Sequence, residues 1–212
     1  MFLLEGYVGA RLDRSVSFVS ELGARGEPGA LFFRSSDFVA GSLLFVGAVL
    51  AWSILPRNWF LRAGVACSIV FAALTAFDAF LPMDCAPTVD EACRAAEEAG
   101  TLQWQHLTHN WTGVVEGVVA PAAMFLIAIG VWQLRRGEDL PRQWEPVWQE
   151  LVIFGLLYTV LSAVIAVAYL FDVGELGIAQ RLQIVVYGAG MFTLGLVVRN
   201  YRGPRPAVPP QD

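Results

Sequence analysis

His106, His109, Gly113 and Glu116 are spaced by three, four and three residues, which places them on one face of a helix starting near Gln103. Two imidazoles at that spacing can face one ion. Asp84, Asp78 or Glu116 would then supply the oxygen ligand of a zinc-like tetrahedral centre that keeps a water in its open position. On that reading zinc is the cofactor, the reaction is hydrolysis, and Asp84 and Glu116 are the candidate catalytic carboxylates. The pair is a weak signal, because the chain has only two histidines. Two hydrogen-bonded histidines at a membrane interface are the plainer reading of His106 and His109. The sequence contains no Walker loop, dinucleotide fingerprint, GxSxG elbow or HExxH motif.

Depth gives the carboxylates a second meaning. Glu116 falls about two turns inside an apolar run, and Asp78 lies one turn before Pro82 at the end of the preceding run. A charged side chain at mid-membrane costs about 2.5 to 3.5 kcal/mol on insertion scales, so such groups face a partner or a cavity. Arg181, near the start of the last apolar run, is the expected partner for one of them. Glu21 sits among Gly23, Gly26 and Gly29, and Asp37 follows Ser35 and Ser36, where its bland role is to cap a helix. Glu21, Asp37, Asp78, Asp84, His106, His109, Glu116 and Arg181 together form the expected ligand pocket.

The elements that must position these residues are membrane helices. Of 212 residues 56% are hydrophobic and 16% charged, against about 25% charged in soluble domains, and the mean hydropathy is +0.56. Five runs, Ser36 to Leu55, Leu61 to Pro82, Trp111 to Leu134, Leu151 to Phe171 and Gly177 to Val198, each reach the roughly 20 apolar residues that span a bilayer. The predicted fold is therefore an all-α polytopic bundle. Its parts are an external amino-terminal segment over 1–35, a transmembrane domain over 36–199 with an external 83–110 loop, and a disordered cytoplasmic tail over 200–212.

Orientation follows from arginines. Arg57 and Arg62, then Arg135, Arg136 and Arg142, then Arg199, Arg202 and Arg205 mark the cytoplasmic ends. Trp52, Trp59, Trp132, Trp144 and Trp148 fall at that boundary, and Trp104 and Trp111 at the other, as an aromatic belt requires. The outer loops are acidic, with Asp90, Glu91, Glu97 and Glu98 in one and Asp172 and Glu175 in the other. An external loop also suits a Cys85 to Cys93 disulfide, with Cys67 left free. Pro121 is expected to bend the third span beside Glu116. The dispersed basic residues form no stripe for nucleic acid.

The stretch RLDRSVSFVSELGARGEPGALFFRSSDFVAGSLL, then FLPMDC, the second cysteine, WQHLTH and GIAQR, resembles the multipass membrane proteins of the domain of unknown function 998 family. The resemblance covers residues 11 to about 200 and implies six helices, the first preceding the SELG segment, with an external group of polar residues. This sequence lacks most of that first helix, so a shortened start is expected. The family name implies no activity.

Two functions follow as expectations. The favoured one is a plasma-membrane protein, carboxyl terminus cytoplasmic, that binds or moves a lipid or small ligand in an extracytoplasmic pocket, with membrane lipids as partners and no nucleic acid. The other is a metal-dependent intramembrane hydrolase acting on a lipid.

Overall fold

The computed structural model describes residues 2–136, 146–171 and 176–199. A 3₁₀ turn at Phe2–Leu4 leads into the single turn α1, Glu5–Val8, and a second 3₁₀ turn covers Ser20–Gly23. Five long helices follow: α2, Ala30–Ile54; α3, Trp59–Asp78; α5, Trp104–Arg136; α6, Val147–Leu170; and α7, Leu176–Arg199. The short α4, Glu91–Glu98, lies between α3 and α5. Among the described residues there is no strand, and α2, α3, α5 and α6 are each long and apolar enough to cross a membrane. The protein is an all-α integral membrane bundle. The fifth expected span coincides with α7, whose 24 residues pack along α6.

Helix boundaries are set by local chemistry. Asn58 caps α3 by accepting from the Leu61 N–H at 3.1 Å, and Asp90 caps α4 by accepting from Ala92 and Cys93 at 2.9 and 3.1 Å. The start of α2 departs from expectation. It begins at Ala30, after Gly29 with φ 78°, so the Ser35-Ser36-Asp37 cluster lies inside the helix rather than at its cap. Ser36 donates to the Phe33 carbonyl at 2.6 Å, which ties off its hydroxyl within the helix. Asp37 therefore does not cap.

Packing runs in sequence from α2 to α3, α5, α6 and α7. Small residues allow backbone-to-backbone approach at two of these seams. A Cβ on Gly41 of α2 would stand 2.5 Å from the Ala76 nitrogen of α3, and one on Gly64 of α3 would stand 2.9 Å from the Ile127 nitrogen of α5. Pro121 is buried inside α5, which is helical on both sides of it.

The two ends of the bundle differ. The end carrying Arg57, Arg62, Arg135 and Arg136 sits over an apolar core that includes Leu61, Val65, Ile127, Val131 and Leu151, with Arg62 over the Trp52 ring and Arg136 over the Trp132 ring. The histidine end is closed by the amino-terminal segment and the 83–110 loop, which contact each other: the Arg25 N–H donates to the Met83 carbonyl at 2.9 Å. Cys85 and Cys93 form a disulfide with a Cα separation of 6.0 Å, anchoring α4 within this cap. Trp144, Arg142, Asp172, Glu175, Arg202, Arg205 and the 200–212 tail lie outside the described residues.

Candidate functional site

The interface of α3 and α5 carries two crossed polar pairs. Helix α3 presents Thr75 and Asp78, three residues apart, and α5 presents Thr112 and Glu116, four apart, so each pair shares a helix face. Thr75 Oγ1 lies 2.6 Å from Glu116 Oε1, and Thr112 Oγ1 lies 2.6 Å from Asp78 Oδ1. Asp37 of α2 is within electrostatic reach of both carboxyls. Below them, Tyr158 of α6 and Tyr187 of α7 also interact with Glu116, and the Tyr187 hydroxyl pairs with Ser68 of α3.

These groups make a polar track of side chains that begins toward the histidine end. Ser68, Thr75 and Asp78 recur on one face of α3, and Ser68 is about 15 Å deeper than Asp78 at 1.5 Å per residue. Beyond Ser68 lies the apolar core around Val65 and Ile127. The track is thus one-sided among the described residues.

A separate polar cluster lies at the histidine end. His106 is fully buried, and its Nδ1 accepts from the Asp84 N–H at 3.0 Å. The Asp84 carboxylate accepts from the Gln103 N–H at 2.7 Å, at the start of α5, and faces Arg25 Nε at 3.5 Å. Glu97 of α4 reaches over the same helix, accepting from Asn110 Nδ2 at 2.5 Å and from the Tyr169 hydroxyl at 3.2 Å. His106 Nε2 stands 3.9 Å from Glu97 Oε2 and has no hydrogen-bond partner. His109 bonds the Leu81 carbonyl, and its Nδ1 is buried without a partner.

This arrangement does not fit the expected zinc centre. Among the described residues no three His, Cys, Asp or Glu side chains gather as a metal site. The lone pair of His106 Nδ1 is occupied by the Asp84 N–H, and Asp84 serves the helix start and Arg25.

Glu21 and Arg181 occupy two further places. The fully buried Glu21 accepts from the Phe18 N–H at 2.9 Å and the Thr88 N–H at 3.0 Å, and it also pairs with the Thr88 hydroxyl. Burial raises its carboxyl above the ordinary 4.5 although these hydrogen bonds, led by the Thr88 hydroxyl, pull the other way. Arg181 does not neutralise Asp78 or Glu116. It bonds Glu5 Oε2 at 2.7 Å and the carbonyls of Arg14, Ser17 and Gly177 at 3.0, 2.9 and 3.1 Å.

The expected eight-residue pocket therefore resolves into parts. Asp37, Asp78 and Glu116 share the track; Asp84, His106 and His109 form the cluster at the histidine end; Glu21 and Arg181 fasten the cap. Gly113 is exposed, and Thr112 takes the place expected for it on the inward face. Thr75, Thr112, Glu97 and Glu5 were not expected as partners. A threonine three residues before Asp78 and another four before Glu116 was the legible signal for the first two. A model of the family described as protein of unknown function (DUF998) matches residues 1–197. No curated protein matches, and no solved structure does.

Proposed function

The chain belongs to the DUF998 family, and from that premise we propose that it is a non-enzymatic membrane protein binding a lipid or small ligand in the polar track, or carrying it across the bilayer. The observation that supports this reading is the track itself: Asp78 and Glu116 are paired with threonine hydroxyls and placed on the inward faces of two membrane helices. Charged or acidic groups at that depth require a function or a partner. The apolar core below Ser68 suits a binding site reached from one side better than a continuous pore.

The arginines at the opposite end support a cytoplasmic position for that end and for the carboxyl terminus, in the plasma membrane, which makes the track extracytoplasmic. The hydrolase reading has less support, because His106 Nδ1 already accepts from the Asp84 N–H and, among the described residues, no third ligand joins the two histidines.

Native mass spectrometry tests the binding reading, with the full chain released from vesicles of phosphatidylethanolamine and phosphatidylglycerol. Wild type is expected to retain lipid, with at least a tenfold lower bound fraction when Asp78→Asn and Glu116→Gln are combined. Equal retention by both proteins would remove the lipid reading.

A further inference from the structure

At the crossed pairs each threonine hydroxyl has one hydrogen fewer than the oxygens around it need. A threonine hydroxyl has one hydrogen to donate. Thr112 Oγ1 has two oxygens at hydrogen-bond distance, the His109 carbonyl at 2.7 Å and Asp78 Oδ1 at 2.6 Å. Thr75 Oγ1 repeats this, with the Phe71 carbonyl at 3.0 Å and Glu116 Oε1 at 2.6 Å. Neither carbonyl carries a hydrogen. When the hydroxyl donates to the carbonyl of its own helix, as threonines in helices do, the carboxyl must be the donor to the hydroxyl.

An independent pair in the same bundle shows the construction with an unambiguous donor. Ser162 of α6 donates to the Tyr158 carbonyl at 3.0 Å and accepts from Gln183 Nε2 of α7 at 2.6 Å. There the group arriving from the neighbouring helix donates. Asp78 and Glu116 occupy the corresponding place at Thr112 and Thr75.

We propose that Asp78 and Glu116 are proton-binding sites, held as neutral carboxylic acids in the ligand-free protein, each donating its hydrogen to a threonine of the facing helix. This rests on the polar track as the site of the proposed function and adds a chemical class, the proton, to what the track takes up. On protonation each carboxylate takes up one proton (H⁺) from the solution at the histidine end and becomes neutral; on release the proton returns to that solution and the carboxylate regains its charge, because the track ends in apolar packing below Ser68. Among the described residues, the ionisable groups that interact with the pair from the other helices are Asp37 of α2, Tyr158 of α6 and Tyr187 of α7, none of them a cation. Arg34 of α2 instead donates to the Ala79 carbonyl at 2.7 Å. A neutral pair therefore avoids an uncompensated negative charge among membrane helices.

Infrared spectroscopy of the full-length protein in phosphatidylglycerol vesicles at neutral pH reads this without any ligand, so a failed lipid-binding test leaves it standing. The expected result is a carboxylic-acid carbonyl band that loses intensity in Asp78→Asn and in Glu116→Gln, with the two losses adding in the double variant. Thr112→Val, which keeps both acids, should shift the frequency of only the portion that Asp78→Asn removes. Spectra in which both single variants leave the acid band unchanged, with the loss appearing in the carboxylate bands instead, would overturn the assignment.

Discussion

Glu21 shows how a single buried side chain joins two distant pieces of chain. It reaches from the 3₁₀ turn Ser20–Gly23 to Thr88 and is fully buried. Burial is the largest influence on its titration, and a smaller one of the same sign comes from the negative charge of Glu97. The folded protein therefore holds a proton that the unfolded chain releases at lower pH. Over the window from 4.5 up to the raised folded value the native state binds more protons, so stability falls as pH rises. The contribution is fully present below 4.5 and lost as pH passes through the folded value. Thermal unfolding of Glu21→Gln, which cannot titrate, is expected to lack this fall; a wild-type minus variant profile that is flat, or rises with pH, would contradict it. Glu21 was legible as a polar residue in a glycine-rich segment and was expected in the ligand pocket, but its partner Thr88 was not legible, because nothing local in APTVDEAC marks a threonine as the partner of a residue 67 positions away. The Glu5–Arg181 pair, 176 positions apart, was hidden for the same reason.

At the scale of elements, the helices were legible because an apolar run of about 20 residues has few alternatives in a bilayer. Their ends were harder to place. Ser35, Ser36 and Asp37 read as a helix start, yet α2 continues through them, and Arg34 within the same helix donates to the Ala79 carbonyl at 2.7 Å beyond the end of α3. Glycine roles also separated only in the structure. Gly41 meets the α3 backbone, whereas an added Cβ on Gly113 or Gly117 would meet nothing within 4 Å. Gly41→Ala is accordingly expected to force α2 and α3 apart and destabilise the bundle by about 1–3 kcal/mol, the usual range for overpacking. Gly113→Ala should be neutral or stabilising by up to about 1 kcal/mol, from helix propensity. Thermal midpoints of the two purified variants check the contrast, and equal midpoints would mean that the α2–α3 seam has room to yield.

The whole molecule is asymmetric from end to end, and its orientation decides which solution the track meets. The capped end gathers Asp90, Glu91, Glu97 and Glu98 beside a disulfide, while the apolar end carries Arg57, Arg62, Arg135 and Arg136. Arginine in short loops resists translocation, and acidic residues weigh little; a disulfide persists in an oxidising compartment. Both considerations support the proposal that the cap is outside. Single cysteines introduced in a Cys67→Ala background test this on intact cells: Ala99→Cys is at an exposed position at the end of α4, and Arg57→Cys is in the turn between α2 and α3. An impermeant maleimide should label the first before permeabilisation and the second only after it. The reverse pattern would turn the track toward the cytoplasm, leaving its geometry and its proton sites intact but exchanging the side from which ligand and proton enter.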